Sequence, residues 1–277
     1  MNISIPIHHE QDFIGMRKAG RLAAEVLDYI TDFVVPGVTT LKLNDLCHEM
    51  IISRGAIPAP LHYQPHKGIT PYPKSVCTSV NHVVCHGIPS EKKLNDGDIV
   101  NIDVTVILDG YHGDTSRMYL VGDKATIKAQ GVEARRLVKV TYEATMLGIK
   151  QVRPGANLNE IGKAIQKHVE DAGFSVVRDF CGHGIGKVFH APPSVVHYYD
   201  KSLTLILKPG MFFTIEPMVN AGRFETKTLQ DGWTAVTSDK KLSAQFEHTI
   251  AVTENGYEIF TLSPKGFTQP PYAFGFG

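Results

Sequence analysis

Residues 101–115 read NIDVTVILDGYHGDT, and their pattern decides the fold. Val100, Ile102, Val104 and Val106 alternate with Asn101, Asp103 and Thr105. That period belongs to a strand with one apolar and one polar face. Asp109-Gly110 tolerates positive φ at both central positions and predicts a two-residue hairpin turn. Such a turn sets Leu108 opposite Tyr111 and Thr105 opposite Asp114. Asp103 is then the diagonal neighbour of Asp114 on the same face, roughly 7–8 Å away. A bulge near Gly113 would shift Asp114 by one position. Carboxylates that close repel each other unless something positive lies between them. Two readings are open for the pair: solvated acids on an exposed sheet, or part of a metal site.

The rest of the chain narrows this. Its 277 residues suffice for one large domain or two ordinary ones. Lys plus Arg equal Asp plus Glu at 28 each, so no overall field attracts nucleic acid or an anionic membrane. The four cysteines (Cys47, Cys77, Cys85, Cys181) lack zinc-ribbon spacing and read as reduced thiols of a cytoplasmic protein. No signal peptide and no membrane-spanning run is expected.

Working outward, the chain repeats itself. A helix is expected over residues 11–33, ending before Pro36-Gly37, and a second over 40–54 with Thr40 as N-cap and Gly55 after its end. A Pro-rich loop and short strands near 75–79 and 83–85 lead into the hairpin. The second half follows the same order, with a helix over 126–151, then Pro154-Gly155, then a helix stopped by Gly173. Gly37 to Gly55 spans 18 positions, as does Gly155 to Gly173. Gly97 to Asp103 spans six, as does Gly210 to Glu216. These matches predict two helix–helix–sheet halves, about 11–121 and 126–260, related by a pseudo-twofold axis. Together they form one α+β catalytic domain over residues 1–263. Its curved antiparallel sheet has helices on the outer face and a polar cleft on the other. The stretch 264–277, rich in Pro, Gly and aromatics, reads as an irregular tail with three readings open: docked by Phe267, Tyr272, Phe274 or Phe276, mobile, or a contact for a partner.

Five residues then stand as candidate metal ligands: Asp103, Asp114, His183 in CGHGIG, Glu216 in FFTIEP and Glu247 in SAQFEH. Four carboxylates in one cleft are untenable if buried and unpaired. The simplest compensator is a pair of divalent ions. The oxygen-rich set lacks thiolates, which disfavours structural zinc and suits Mn, Fe(II), Co or catalytic Zn. A carboxylate-bridged metal pair polarises a carbonyl and acidifies water, which is hydrolase chemistry. His86 and His190 are candidates for positioning a substrate. Cys77 and Cys85 fit better as small apolar fillers than as nucleophiles.

The runs PKSVCTSVN, VVCHGIP, GDIVNIDVTV, DGYHGDTSRM, CGHGIG, FFTIEPM and DGWTAVTSDKKLSAQFEHT, in this order, resemble type I methionine aminopeptidases over about residues 3–262. The resemblance implies the pita-bread fold. It implies two divalent ions held by Asp103, Asp114, His183, Glu216 and Glu247, with Asp114 and Glu247 bridging. The implied reaction removes the initiator methionine from nascent polypeptides when the second residue is small. Glu216 would shuttle a proton, His190 would contact the scissile carbonyl, and His86 the scissile nitrogen, though these two roles are exchangeable. The methionine side chain would enter a pocket including Tyr72, Cys77, Phe189 and Trp233. A monomer is implied, meeting the ribosome transiently and needing neither nucleic acid nor membrane. Two departures stand out: Ala191 follows His190 where an acidic residue is frequent, and Ile69 stands where a tyrosine lies near the methionine pocket. Proline-directed peptidases of the same fold carry an additional N-terminal domain, for which the residues before His86 leave no room. A non-catalytic binding protein of this fold would have lost ligands, and all five are present.

Overall fold

The structure is a computed structural model describing residues 4–122 and 131–272. The first half contains α1 (Glu10–Ile30), α2 (Thr40–Ser53), β1 (Ile57–Pro58), β2 (Cys77–Val80), β3 (Val83–Cys85), β4 (Ile99–Leu108) and β5 (Tyr111–Leu120). The second begins with α3 (Val132–Ile149), α4 (Asn159–Asp171), β6 (Ser175–Val176), β7 (Gly182–Gly184), β8 (Ala191–Val195) and β9 (Phe212–Ile215). It ends with β10 (Met218–Asn220), β11 (Thr226–Thr228), β12 (Ala235–Thr237), β13 (Ser243–Gln245), β14 (Glu247–Val252) and β15 (Tyr257–Ile259). The start expected for the third helix, Thr126, lies outside the described residues.

The central sheet runs β1-β4-β5-β14-β9-β7-β8, with β2 on β4 and β15 on β14, and its described pairings are antiparallel. It carries helices on its outer side, which is the pita-bread architecture. On one half, Val26, Leu27, Leu43 and Ile51 of α1 and α2 pack on Val100, Ile102, Val104 and Val106 of β4. On the other, Leu137, Ile161, Ile165 and Val169 of α3 and α4 pack with Phe213, Ile215, Ile250 and Val252. The apolar face of each strand is thereby used up, and the polar face is left for the cleft.

The pseudo-twofold relation extends to individual hydrogen bonds. The Gly37 N–H donates to Leu94 O at 2.7 Å, and the Gly155 N–H to Leu207 O at 2.9 Å. Gly97 donates to Val121 O at 3.0 Å, and Gly210 to Val252 O at 2.9 Å. Gly97 and Gly210 take φ of 92° and 83°, a region closed to most side chains. The recurring glycines therefore mark one turn geometry used twice.

The β4–β5 hairpin has the expected register, Leu108↔Tyr111 and Thr105↔Asp114. Asp109 and Gly110 both have positive φ, at 51° and 82°. The bulge considered at Gly113 is absent, since Gly113 pairs with Val106 in an uninterrupted ladder. Its glycine has another cause. A Cβ there would lie 2.2 Å from the carbonyl oxygen of Ala19, because α1 crosses directly over the strand. The N-cap of α2 also differs from expectation. Thr39 Oγ1 accepts from the Lys42 N–H at 3.1 Å, while the Thr40 hydroxyl donates to Ser90 O at 3.0 Å.

The tail segment docks through Phe267 and Tyr272. Tyr272 is buried, its hydroxyl donates to Met118 O at 2.5 Å, and its ring meets Tyr119 at 5.5 Å. Phe274 and Phe276 lie outside the described residues.

Replacing Gly113 with alanine should force α1 off β5. We expect Gly113→Ala to lower unfolding free energy by about 1–3 kcal/mol, read by urea denaturation. Unchanged stability would contradict the close helix–strand approach.

Candidate metal centre

The sheet register places the acidic residues on one face in two adjacent rows. One row reads Cys77–Asp103–Ser116–Glu247 across β2, β4, β5 and β14. Two residues along lies Thr105–Asp114 and, across β14 and β9, Thr249–Thr214. The two rows are about 7 Å apart by strand rise. Glu216 follows directly after β9, and His183 sits in the middle of β7. The hairpin alone supplies two acids, and the second half supplies the other three groups.

Ligand atoms of Asp114, His183 and Glu247 all lie within 4.8 Å of one another. His183 Nε2 is 3.6 Å from Asp114 Oδ2 and 3.7 Å from Glu216 Oε1. Nδ1 of the same ring lies 3.1 Å from Gly184 O. A carbonyl only accepts, so Nδ1 carries the proton and the Nε2 lone pair faces the carboxylates. Two of the acids, Asp114 and Glu216, are steered by a hydroxyl or amide. Thr105 Oγ1 donates to Asp114 Oδ1, and Thr214 Oγ1 to Glu216 Oε1, both at 2.7 Å. Gln245 Nε2 donates to Glu216 Oε2 at 3.3 Å. The Glu216 backbone N–H donates at 3.0 Å to Nε2 of the buried His197.

Burial pushes Asp103 up to about 7 and Glu216 up to about 8. Asp114 and Glu247 are also raised, first by burial and then by the neighbouring carboxylates. Burial lowers His183 to about 4, so its imidazole is neutral near pH 7. No Lys or Arg is among the described residues lining this cavity. An imidazole lone pair and several carboxylates converging without a protein cation fit divalent metal ions. Four oxygen donors and one nitrogen suit a catalytic rather than a structural ion.

The cluster opens into a cavity of about 410 Å³. His86, Tyr72, Cys77, Phe189, His190 and Trp233 all line it, so the candidate ligands and the candidate substrate-contacting residues border one space. Tyr72 and Trp233 meet edge-to-face at 5.2 Å, and the Trp233 indole N–H donates to Thr70 O at 2.7 Å. The ring of His190 lies 4.1 Å from that of His183. Ile69 is not among the lining residues, so its departure from tyrosine does not alter this wall directly. Burial raises the thiols of Cys77 and Cys85 well above their ordinary range, which leaves them as protonated fillers rather than nucleophiles.

The profile of metallopeptidase family M24 matches residues 14–254. This chain belongs to metallopeptidase family M24. Methionine aminopeptidase of Rickettsia prowazekii (strain Madrid E) is 61% identical over 98% of the chain and 100% of that protein. The methionine aminopeptidase of Escherichia coli (strain K12) is 55% identical over 94% and 95%. A crystal structure of methionine aminopeptidase from R. prowazekii superposes with a TM-score of 0.87, covering 94% of this chain and all of the other at 61% identity. The M24 chain is thus a metal-dependent hydrolase, with the identity of its divalent cofactor open.

Several residues of this M24 centre escaped the sequence reading. Thr105 and Thr214 were legible in principle, each two residues from an acid on the same strand face. His197 and Tyr63 carry no local signal, since only tertiary folding brings them to the site.

The protonated state of the buried acids opposes metal. Because folding raises the pKa of Asp103 and Glu216 to about 7 and 8, a cation must displace protons below that range. Divalent-metal affinity should therefore rise with pH between about 6 and 8 and then level off. Calorimetric titration with Mn in buffers of different ionisation enthalpy should show proton release at pH 6.5. Affinity independent of pH would contradict the raised carboxyls.

Proposed function

We propose that this chain removes the N-terminal methionine from polypeptides whose second residue is small. The observation that carries this reading is the convergence of Asp114, His183 and Glu247, flanked by Asp103 and Glu216, beside a cavity walled by aromatic rings and a thiol. The near-full-length similarity to methionine aminopeptidases supports the same substrate.

Asp103, Asp114, His183, Glu216 and Glu247 would hold two divalent ions, with Asp114 and Glu247 shared between them. Bound ions supply Lewis acidity toward a carbonyl oxygen and toward water. The remaining steps belong to the chain's own side chains. Glu216, fixed by Thr214 and Gln245, accepts a proton from the attacking water and returns it to the departing amine. His190, at the cavity rim, donates to the scissile carbonyl oxygen, a contact worth about 2.7–4 kcal/mol in comparable oxyanion sites. His86, kept neutral by burial that lowers it to about 4, contacts the scissile nitrogen. The methionine side chain packs among Tyr72, Cys77, Phe189 and Trp233, where thioether–ring contacts contribute about 0.3–1.5 kcal/mol each. The substrate's α-amino group is drawn to the acidic cluster, which confines cleavage to the first peptide bond.

Residues 1–263 act in this reading as one catalytic unit of two halves, and residues 264–272 of the tail brace its outer face. No helix among the described residues is long and apolar enough to cross a membrane. Nascent polypeptides as substrates place the chain in the cytoplasm, working as a monomer that meets the ribosome transiently.

The purified chain supplied with Mn, Fe(II) or Co should release methionine from Met-Ala peptides and far more slowly from Met-Leu peptides. The absence of metal-dependent methionine release would overturn the proposal. Glu216→Gln should lower kcat by roughly 10²–10⁴, with thermal unfolding recorded to exclude a folding defect. Asp114→Ala should lose its tight metal stoichiometry, and two firmly bound ions in that variant would refute the bridging role.

A further inference from the structure

Residues 185–190, IGKVFH, connect β7 to β8 and end on His190. Lys187 and Val188 are exposed, so this loop has little packing of its own. Its turn is closed by the Gly186 N–H, which donates to Val188 O at 3.2 Å. The tie at its outer edge is weak. Lys187 Nζ lies 3.5 Å from Asp12 Oδ1, an exposed pair of the kind that contributes little. The firm anchor comes from the first half of the molecule. Strand β14 pairs with β5 at Thr115 and Ser116, which leaves the start of β5 to another neighbour on that side. Gly186 takes that place. Its carbonyl oxygen accepts the His112 backbone N–H at 2.9 Å and lies 3.0 Å from Nδ1 of the same residue. A carbonyl only accepts, so this Nδ1 carries the proton and donates.

The same imidazole stacks on Phe189, with ring centroids 5.5 Å apart and planes 15° from parallel. Phe189 in turn lies 4.1 Å from the ring of His190, its neighbour in sequence. His112 therefore holds the loop at two points, the Gly186 carbonyl by hydrogen bonds and the Phe189 ring by its face. It is itself buried and does not line the cavity. The backbone amide alone could serve Gly186, and any flat ring could cover Phe189. An imidazole does both from one position on β5.

We propose that His112 is a positioning residue for the hydrolysis: by its bond to Gly186 and its stack on Phe189 it fixes the loop that aims His190 at the scissile carbonyl. The inference rests on the aminopeptidase reading above, in which His190 donates to that oxygen. Such a donor acts only when aimed at the place the oxygen takes in the transition state. A displacement of about 1 Å costs up to about 100-fold in rate. The loss falls on kcat, because the contact is made chiefly in the transition state. His112 also stands two residues before Asp114, so the competing account is a disturbance of the acidic cluster itself.

The test is a double-mutant cycle between His112 and His190 in the Mn-supplied enzyme, with Met-Ala-Ser as substrate. His112→Ala should lower kcat by about 10–100-fold with KM unchanged. Its Mn affinity and stoichiometry, read by calorimetry, should match the wild type. His190→Ala should lower kcat at least as far, and His112→Ala added to it should cost little more. His112→Phe keeps the stack and His112→Asn keeps a donor near the Nδ1 position, so each should recover part of the loss. Both also carry the cycle if His112→Ala does not fold. Additive losses overturn the inference, since a merely structural role acts whether or not His190 is present. So does an unchanged kcat in His112→Ala, and so does weakened Mn binding, which would route the effect through Asp114. A wild-type kcat in His190→Ala would overturn the role of His190 and the inference with it. Failure of the wild-type enzyme to release methionine from Met-Ala-Ser would overturn the activity itself, a result distinguishable from the others.

Discussion

Four carboxylates facing one buried side of a sheet are the constraint on which the rest of this structure depends. Moving an unpaired carboxylate out of water costs several kcal/mol even after relaxation. Asp103, Asp114, Glu216 and Glu247 meet that cost together, and their raised pKa values are its direct expression. Short-range donors soften it only in part. The hydroxyls of Thr105 and Thr214 and the amide of Gln245 satisfy single lone pairs and set the angles of Asp114 and Glu216. The rest of the compensation is left to cations from outside the chain, so the folded state and metal binding are thermodynamically linked.

A site of this kind needs rigid walls, and the fold supplies them by duplication. Each half buries the apolar side of its strands under a pair of helices, leaving the polar side to face the other half. The matching bonds of Gly37 and Gly155, and of Gly97 and Gly210, fix each half's strands in the same way. The acids at β4 and at the end of β9 are therefore carried by equivalent scaffolds. The second half adds what a copy alone would not, an imidazole on β7 and a glutamate on β14.

Much of this was readable from the chain because its signals are local. The strand period of residues 100–106, the Asp109-Gly110 turn and the spacing of repeated glycines depend on neighbours a few positions apart. They yielded the hairpin register, the two-half architecture and the five groups that converge. What was misread or left open depended on distant contacts. A bulge at Gly113 stayed open as an alternative because the passage of Ala19 over it is invisible in sequence. The cap of α2 fell one residue early because Thr39 and Thr40 are chemically alike, and only Ser90 decides which hydroxyl is engaged elsewhere. His197 and Tyr63 reach the site from loops whose direction no periodicity encodes.

Strand β5 shows how differently the two faces treat charge. Asp114 points to the cleft, and three residues later Arg117 points outward, and both are buried. Arg117 is paired inside the protein, with Asp28 at 2.8 Å, and the rings of Phe267 and Tyr272 lie against its guanidinium. Ser263 and the Lys265 backbone complete the hydrogen bonds of Asp28, so the tail seals an ion pair that is satisfied from within. A chain able to neutralise one buried charge so fully could have placed a lysine or arginine among the cleft acids as well. Among the described residues lining the cleft there is none. A built-in cation would occupy the point on which the His183 lone pair and the carboxylates converge, and would hold those acids permanently paired. Leaving that point free of protein charge means that protons or mobile divalent ions from outside the chain must compensate the acids, which couples metal binding to proton release.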